Sequence, residues 1–130
     1  MTILARGTFD VNITPQPPED KSEGLTLGRM LIEKKFQGDL AAVSNGQMLT
    51  GMTGVKGSGA YVAIERVTGA LNGRSGSFIL HHLGIMERGA PRLNVTVVPD
   101  SGTEELTGLS GKMIINIAEG KHFYEFEYTL

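Results

Sequence analysis

The sequence predicts an all-β protein, a closed antiparallel barrel of about eight strands. Three observations carry this expectation. Apolar and polar residues alternate with period two along most of the chain, and no helical stripe persists. Turn-forming residues cut the alternation into about eight segments, a number that closes into a small barrel filled by side chains or holding one ligand. The segment from Phe78 to Met86 is apolar on both faces. One face can line an interior, but the other needs a cover, for which a second copy of the chain is the simplest candidate.

The elements follow in order. In the first strand Ile3, Ala5, Phe9, Val11 and Ile13 share a face, with Arg6, Thr8, Asp10 and Asn12 opposite. The run Pro15-Gln16-Pro17-Pro18-Glu19-Asp20 is expected to break the sheet, because proline donates nothing to a ladder. Strands are expected from about Leu25 to Gln37 and from Leu40 to Thr50, although Arg29 to Phe36 also fits a short amphipathic helix. A glycine-rich loop, Gly51 to Gly59, separates the two halves. The second half reads as a meander. A strand from Ala60 to Thr68 leads to the hairpin turn Asn72-Gly73, whose residues tolerate positive φ. Strands Ser77 to Met86, Leu93 to Val98, Leu106 to Ala118 and His122 to Leu130 follow. The turns between them are centred on Gly89, Pro99-Asp100-Ser101-Gly102 and Glu119-Gly120.

Composition narrows the functional classes. The 130 residues suit one domain, residues 1 to 130, with no room for a second core. The absence of cysteine excludes disulfides and zinc–thiolate sites. Net charge is −2 and the basic residues are scattered, which argues against nucleic-acid and membrane-surface partners. The first residues lack the basic and apolar regions of a signal peptide, and no apolar run approaches the roughly 20 residues of a membrane helix. A cytoplasmic location is the resulting expectation. The 18 glycines lack a collagen period and are assigned to turns, bulges and tight corners.

Motif readings are mostly negative. Gly111-Lys112 is followed by Met113 rather than Ser or Thr, so it is no Walker loop. The glycine loop 51–59 precedes a strand, where a Rossmann turn precedes a helix. No cofactor is expected. His81 and His82 are adjacent, so on a strand they point to opposite faces and cannot share a metal ion. A site built from one of them with His122 and Glu65 has no local signature, and no metal is assigned. Ser101 and Thr103 are explained by a turn.

Two strands carry the site candidates. In the last one His122, Tyr124, Phe126 and Tyr128 share a face, opposite Phe123, Glu125, Glu127 and Thr129. The charges place the second set in solvent and the first inside. Its phenols suit either a packed core with bonded hydroxyls or a lumen holding an apolar ligand with a polar end. Glu65 is in phase with Tyr61, Ala63 and Val67, and period alone leaves open which set faces in. If that set does, Glu65 is a lumenal carboxylate, protonated or paired with a histidine or arginine. The ligand-binding candidates are therefore Tyr61, Glu65, His82, His122, Tyr124 and Tyr128.

Several segments taken together carry a resemblance. These are Gly38-Asp39-Leu40, Tyr61-Val62-Ala63-Ile64-Glu65-Arg66, Gly73-Arg74-Ser75-Gly76-Ser77-Phe78 and His82-Leu83-Gly84. Val97-Val98-Pro99-Asp100-Ser101-Gly102-Thr103, Gly120-Lys121-His122 and the pair Tyr124 and Tyr128 complete the set. In order and spacing the chain resembles an uncharacterised bacterial family of small barrels with a fold similar to allene oxide cyclase and the dirigent proteins. The resemblance implies a fold and supplies no catalytic residue. Three functions follow as expectations: a barrel binding a small, mainly apolar molecule, an isomerase or cyclase using a lumenal carboxylate, and a structural module with a filled core. A homo-oligomer, with a dimer favoured, is the expected assembly.

Overall fold

A computed structural model describes all 130 residues, Met1–Leu130. Eight strands form it: β1 (Ile3–Ser22), β2 (Leu25–Gly38), β3 (Leu40–Met52), β4 (Gly59–Leu71), β5 (Arg74–Glu87), β6 (Ala90–Val97), β7 (Ser110–Ala118) and β8 (Lys121–Thr129). Each pairs antiparallel with the next, and β8 returns to β1 from Ile3 opposite Tyr128 to Phe9 opposite His122. The expected closed eight-stranded antiparallel barrel is thus present. The only helical element is a 3₁₀ turn at Glu104–Leu106, and no helix is long and apolar enough to cross a membrane.

Residues 29 to 36, which also fit a helix, belong to β2, because both neighbouring strands take their backbone groups into ladders. The proline run does not end the first strand as expected. β1 continues to Ser22, with a register irregularity between Gln16 and Asp20. Its ladder with β8 stops at Phe9, so beyond that point β1 has β2 on one side only, where missing N–H groups are tolerated. The expected seventh strand starts later, at Ser110, because Leu106 and Leu109 turn inward as part of the core. Asn72 and Gly73 both have positive φ, as the tight β4–β5 turn requires.

The two ends of the barrel differ. One is packed with Phe36, Leu40, Leu71, Phe78, Leu80, Tyr124, Phe126 and Tyr128, closed over by Leu106 and Leu109. Phe126 stacks between Phe78 and Tyr128, with ring centroids 5.8 and 5.4 Å away. The segment that plugs this end is held by the edge of β5. The Ser77 amide donates to Thr103 Oγ1 at 2.9 Å and the Ile79 amide to Ser101 Oγ at 3.0 Å. The turn hydroxyls therefore extend the ladder where β6 has ended. Gly76 is required there, since a Cβ would collide with the Thr103 carbonyl.

The other end is open. Strands β6 and β7 are paired only at Val95 opposite Met113 and Thr96 opposite Lys112. Towards this end Leu93 and Ile117 remain 39% and 69% exposed although they lie in phase with lumenal neighbours. Outside the barrel Val62, Ile64, Leu83 and Ile85 are each between 41 and 50% exposed. Val62 and Leu83 are cross-strand partners, so the apolar residues form a continuous outer strip.

Candidate binding site at the open end of the barrel

Alternation along β4 places Ala63, Glu65 and Val67 inside and leaves Val62, Ile64 and Arg66 outside. The phase that the sequence left open is the one that buries the carboxylate. Glu65 stands opposite Gly46 on β3 and Leu80 on β5, and Ala63 stands opposite His82. Lys34 on β2 lies opposite Ser44. Gly46 has no side chain, so nothing on β3 blocks Lys34 from reaching past it to β4. Lys34 Nζ donates to Glu65 Oε2 at 2.8 Å, and His82 Nε2 donates to the same oxygen at 2.5 Å.

All three side chains are at least nine-tenths buried. Burial alone would raise the Glu65 pKa, but the hydrogen bond from His82 and the positive charge of Lys34 outweigh it and lower it to about 2. Glu65 is therefore an ionised carboxylate, and of the two expected states the paired one holds, with lysine as the cation. The Lys34 ammonium also lies 4.8 Å from the Phe9 ring centroid and 5.8 Å from that of Phe36, a favourable placement over negative ring faces. Two polar atoms in this layer lack partners, Glu65 Oε1 and Ser44 Oγ. Buried groups in native proteins rarely go unpaired.

Phe9, Ile32, Lys34, Met48, Tyr61, Ala63, His82, Leu93, Ile115, Ile117 and His122 surround much of a cavity of about 240 Å³ beside the cluster. Met48, Tyr61, Leu93 and Ile117 also line an outer space of about 320 Å³, with Thr50, Met52, Gly84, Met86 and Pro91 at its rim. The shared residues make these the inner and outer parts of one opening. Tyr61 stands between them, its ring centroid 6.4 Å from that of His82. Burial and the Glu65 charge both raise its pKa, so it presents a neutral hydroxyl. His122 lines the inner cavity with its ring 5.0 Å from Phe9. No group of three histidine, cysteine or acidic side chains is placed to hold a metal ion.

Of the six candidates, Tyr61, Glu65, His82 and His122 come together here. Tyr124 and Tyr128 face inward but sit in the packed end. The Tyr124 hydroxyl donates to the Gln37 carbonyl at 2.8 Å and accepts from the Leu40 amide at 2.9 Å, while Asn72 Nδ2 donates to Tyr128 Oη at 2.6 Å. These phenols take the core role. Lys34 was missed. It shares a strand face with Ile32 and Phe36, a visible signal once residues 29 to 36 are read as a strand.

The model of a protein family of unknown function, DUF3224, matches residues 5–128. The chain belongs to this family. A crystal structure of another DUF3224 protein of unknown function, from Shewanella oneidensis MR-1, is similar to it with 50% sequence identity and a TM-score of 0.95. That similarity covers 100% of this chain and 98% of the Shewanella chain. No curated protein matches. For a DUF3224 protein the chemical argument rests on the open end itself, a mainly apolar cavity whose lining includes Lys34 and His82, the two partners of the ionised Glu65.

Proposed function

We propose that the open end of the barrel binds a small, mainly apolar molecule whose one polar group meets the Lys34–Glu65–His82 cluster. The observation that carries this reading is the cavity itself: a mainly apolar wall that includes Lys34 and His82, the two side chains bonded to the buried Glu65. Such a pairing of apolar walls with few convergent polar groups is the usual chemistry of a small-molecule site. An apolar body gains by leaving water, and its polar group finds Lys34, His82 and the Tyr61 hydroxyl in the cavity lining. The likeness to allene oxide cyclase and dirigent barrels belongs to this proposal as an architecture with room for an apolar guest.

A thermal-shift panel of small apolar alcohols, acids, amides and ketones tests the reading. A compound at about 100 times its dissociation constant stabilises the fold by about 2.7 kcal/mol. The expected result is a shift that Ala63→Leu, which fills the inner cavity, removes. A panel without a shift, or shifts that Ala63→Leu leaves intact, would overturn it.

We also propose that the outer strip is covered by a second copy of the chain. The strip is bordered by charges of both signs, Arg66 on β4, Glu87 on β5 and Arg92 opposite Ile85 on β6, so two copies can oppose unlike charges around an apolar centre.

A further inference from the structure

We propose that the open end is a proton-abstracting site, with His82 Nδ1 as the base and an apolar carbon acid, a molecule with an acidic C–H beside a carbonyl or similar group, as substrate class. This rests on the binding reading above and assigns chemistry to the same cavity. A neutral imidazole carries one N–H. The hydrogen bond to Glu65 Oε2 places that proton on Nε2 and leaves the lone pair on Nδ1. No hydrogen bond in the protein reaches Nδ1, and it is not among the fully buried orphaned atoms, which are Ser44 Oγ and Glu65 Oε1. Since the ring lines the inner cavity, Nδ1 faces the space a guest occupies.

The surroundings favour the transfer. When Nδ1 takes a proton, the imidazolium lies against an ionised carboxylate, which fixes the ring and stabilises the new charge. Glu65 is then a positioning residue. Glu65 itself is the weaker base, since the His82 hydrogen bond and the Lys34 charge at Oε2 hold its pKa down to about 2. Negative charge developing on the substrate's oxygen meets the Lys34 ammonium or the neutral Tyr61 hydroxyl, both of which line the cavity. In the abstraction the C–H bond breaks, its electron pair moves toward the carbonyl oxygen to give an enolate, and Nδ1 gains the proton. In a substrate with a double bond β,γ to the carbonyl the enolate is a dienolate, and return of the proton to its γ-carbon moves the double bond into conjugation, an isomerisation without oxidant or cofactor.

The probe for the test is 5-nitrobenzisoxazole, a compact apolar carbon acid. Loss of its C–H proton drives cleavage of the N–O bond and releases a coloured cyanonitrophenolate. Groups facing His82 from the packed strands are Lys34 on β2, Tyr61 and Glu65 on β4, and His122 on β8. Rates are therefore compared across pH for each variant. The wild type is expected to turn the probe over with saturation, and His82→Gln to lose about 100-fold in kcat/KM and the acid limb of the pH profile with it. Glu65→Gln is expected to lower kcat more than KM, and His81→Gln, on the outer face, to change neither. The double variant Lys34→Met with Glu65→Gln removes both buried charges together and stands in if Glu65→Gln alone does not fold. If the released cyanonitrophenol binds, seen by equilibrium dialysis, while His82→Gln reacts as fast as wild type, the base assignment fails and the binding reading stands. Neither turnover nor binding would overturn both.

Discussion

Gly46 faces Glu65 directly across the β3–β4 ladder, and a Cβ at position 46 would lie 2.7 Å from the Glu65 Cα. The buried carboxylate thus depends on an absent side chain on the next strand. Gly46→Ala is expected to destabilise the barrel by about 1–3 kcal/mol through overpacking. It should also displace Glu65 from Lys34. Chemical denaturation of the two proteins checks the first effect.

Lys34→Met leaves the Glu65 charge buried with only His82 beside it. Breaking a buried pair by removing one partner costs about 3–5 kcal/mol. The double variant Lys34→Met with Glu65→Gln is expected to recover part of that loss, because it leaves no uncompensated charge. A double-mutant cycle by urea denaturation measures the difference.

The pH dependence follows from the sign of the Glu65 shift. Its folded pKa, about 2, lies below the ordinary 4.5. The stabilisation it supplies is fully present above pH 4.5 and is lost as pH falls through the window down to about 2. A shift of that size corresponds to about 3 kcal/mol at full ionisation. Acid titration of the unfolding free energy should show a steep loss in this window, flattened in Glu65→Gln.

Tyr124→Phe removes a hydroxyl that bridges the Gln37 carbonyl and the Leu40 amide. The expected cost is about 1–2 kcal/mol of stability, with no change in binding at the open end. A reduced affinity for a cavity ligand would contradict the division of the barrel into a packed and an open half.

Covering the outer strip by a second copy predicts a solution mass of twice 13.9 kDa by light scattering. Leu83→Glu places charge at the centre of that strip and is expected to give a monomer with the barrel intact by circular dichroism. A monomeric wild type at micromolar concentration would remove the assembly proposal.

Much of the barrel was legible because period-two alternation survives wherever one face is buried. In β8 the charges Glu125 and Glu127 mark the solvent face without ambiguity, and His122, Tyr124, Phe126 and Tyr128 lie inward as that phase requires. In β4 no such marker exists. Glu65 and Arg66 are adjacent charges on opposite faces, and the phase is decided by Lys34 and His82, 31 and 17 residues away. Pairing across the barrel is a tertiary fact that local pattern does not contain. Lys34 illustrates the same limit, since a lysine on an apolar face reads as a defect until its partner is known. The proline run misled for a related reason. Proline is excluded only from ladders paired on both sides, and β1 outruns β8 after Phe9.

The seam between β6 and β7 has a mechanical consequence. Strands β1 and β8 share seven paired positions, from Ile3–Tyr128 to Phe9–His122, yet β6 and β7 share only two. Parting the wall at that seam breaks little of the ladder, and Leu93, Ile115 and Ile117 beside it already border the cavity. For the binding proposed above, a guest too broad for the rim is expected to enter sideways, as through a slit in a sleeve, while the packed end stays shut. Amide protons along β6 and β7 should exchange with solvent faster than those of β4, and a bound guest that bridges Leu93 and Ile117 should slow them.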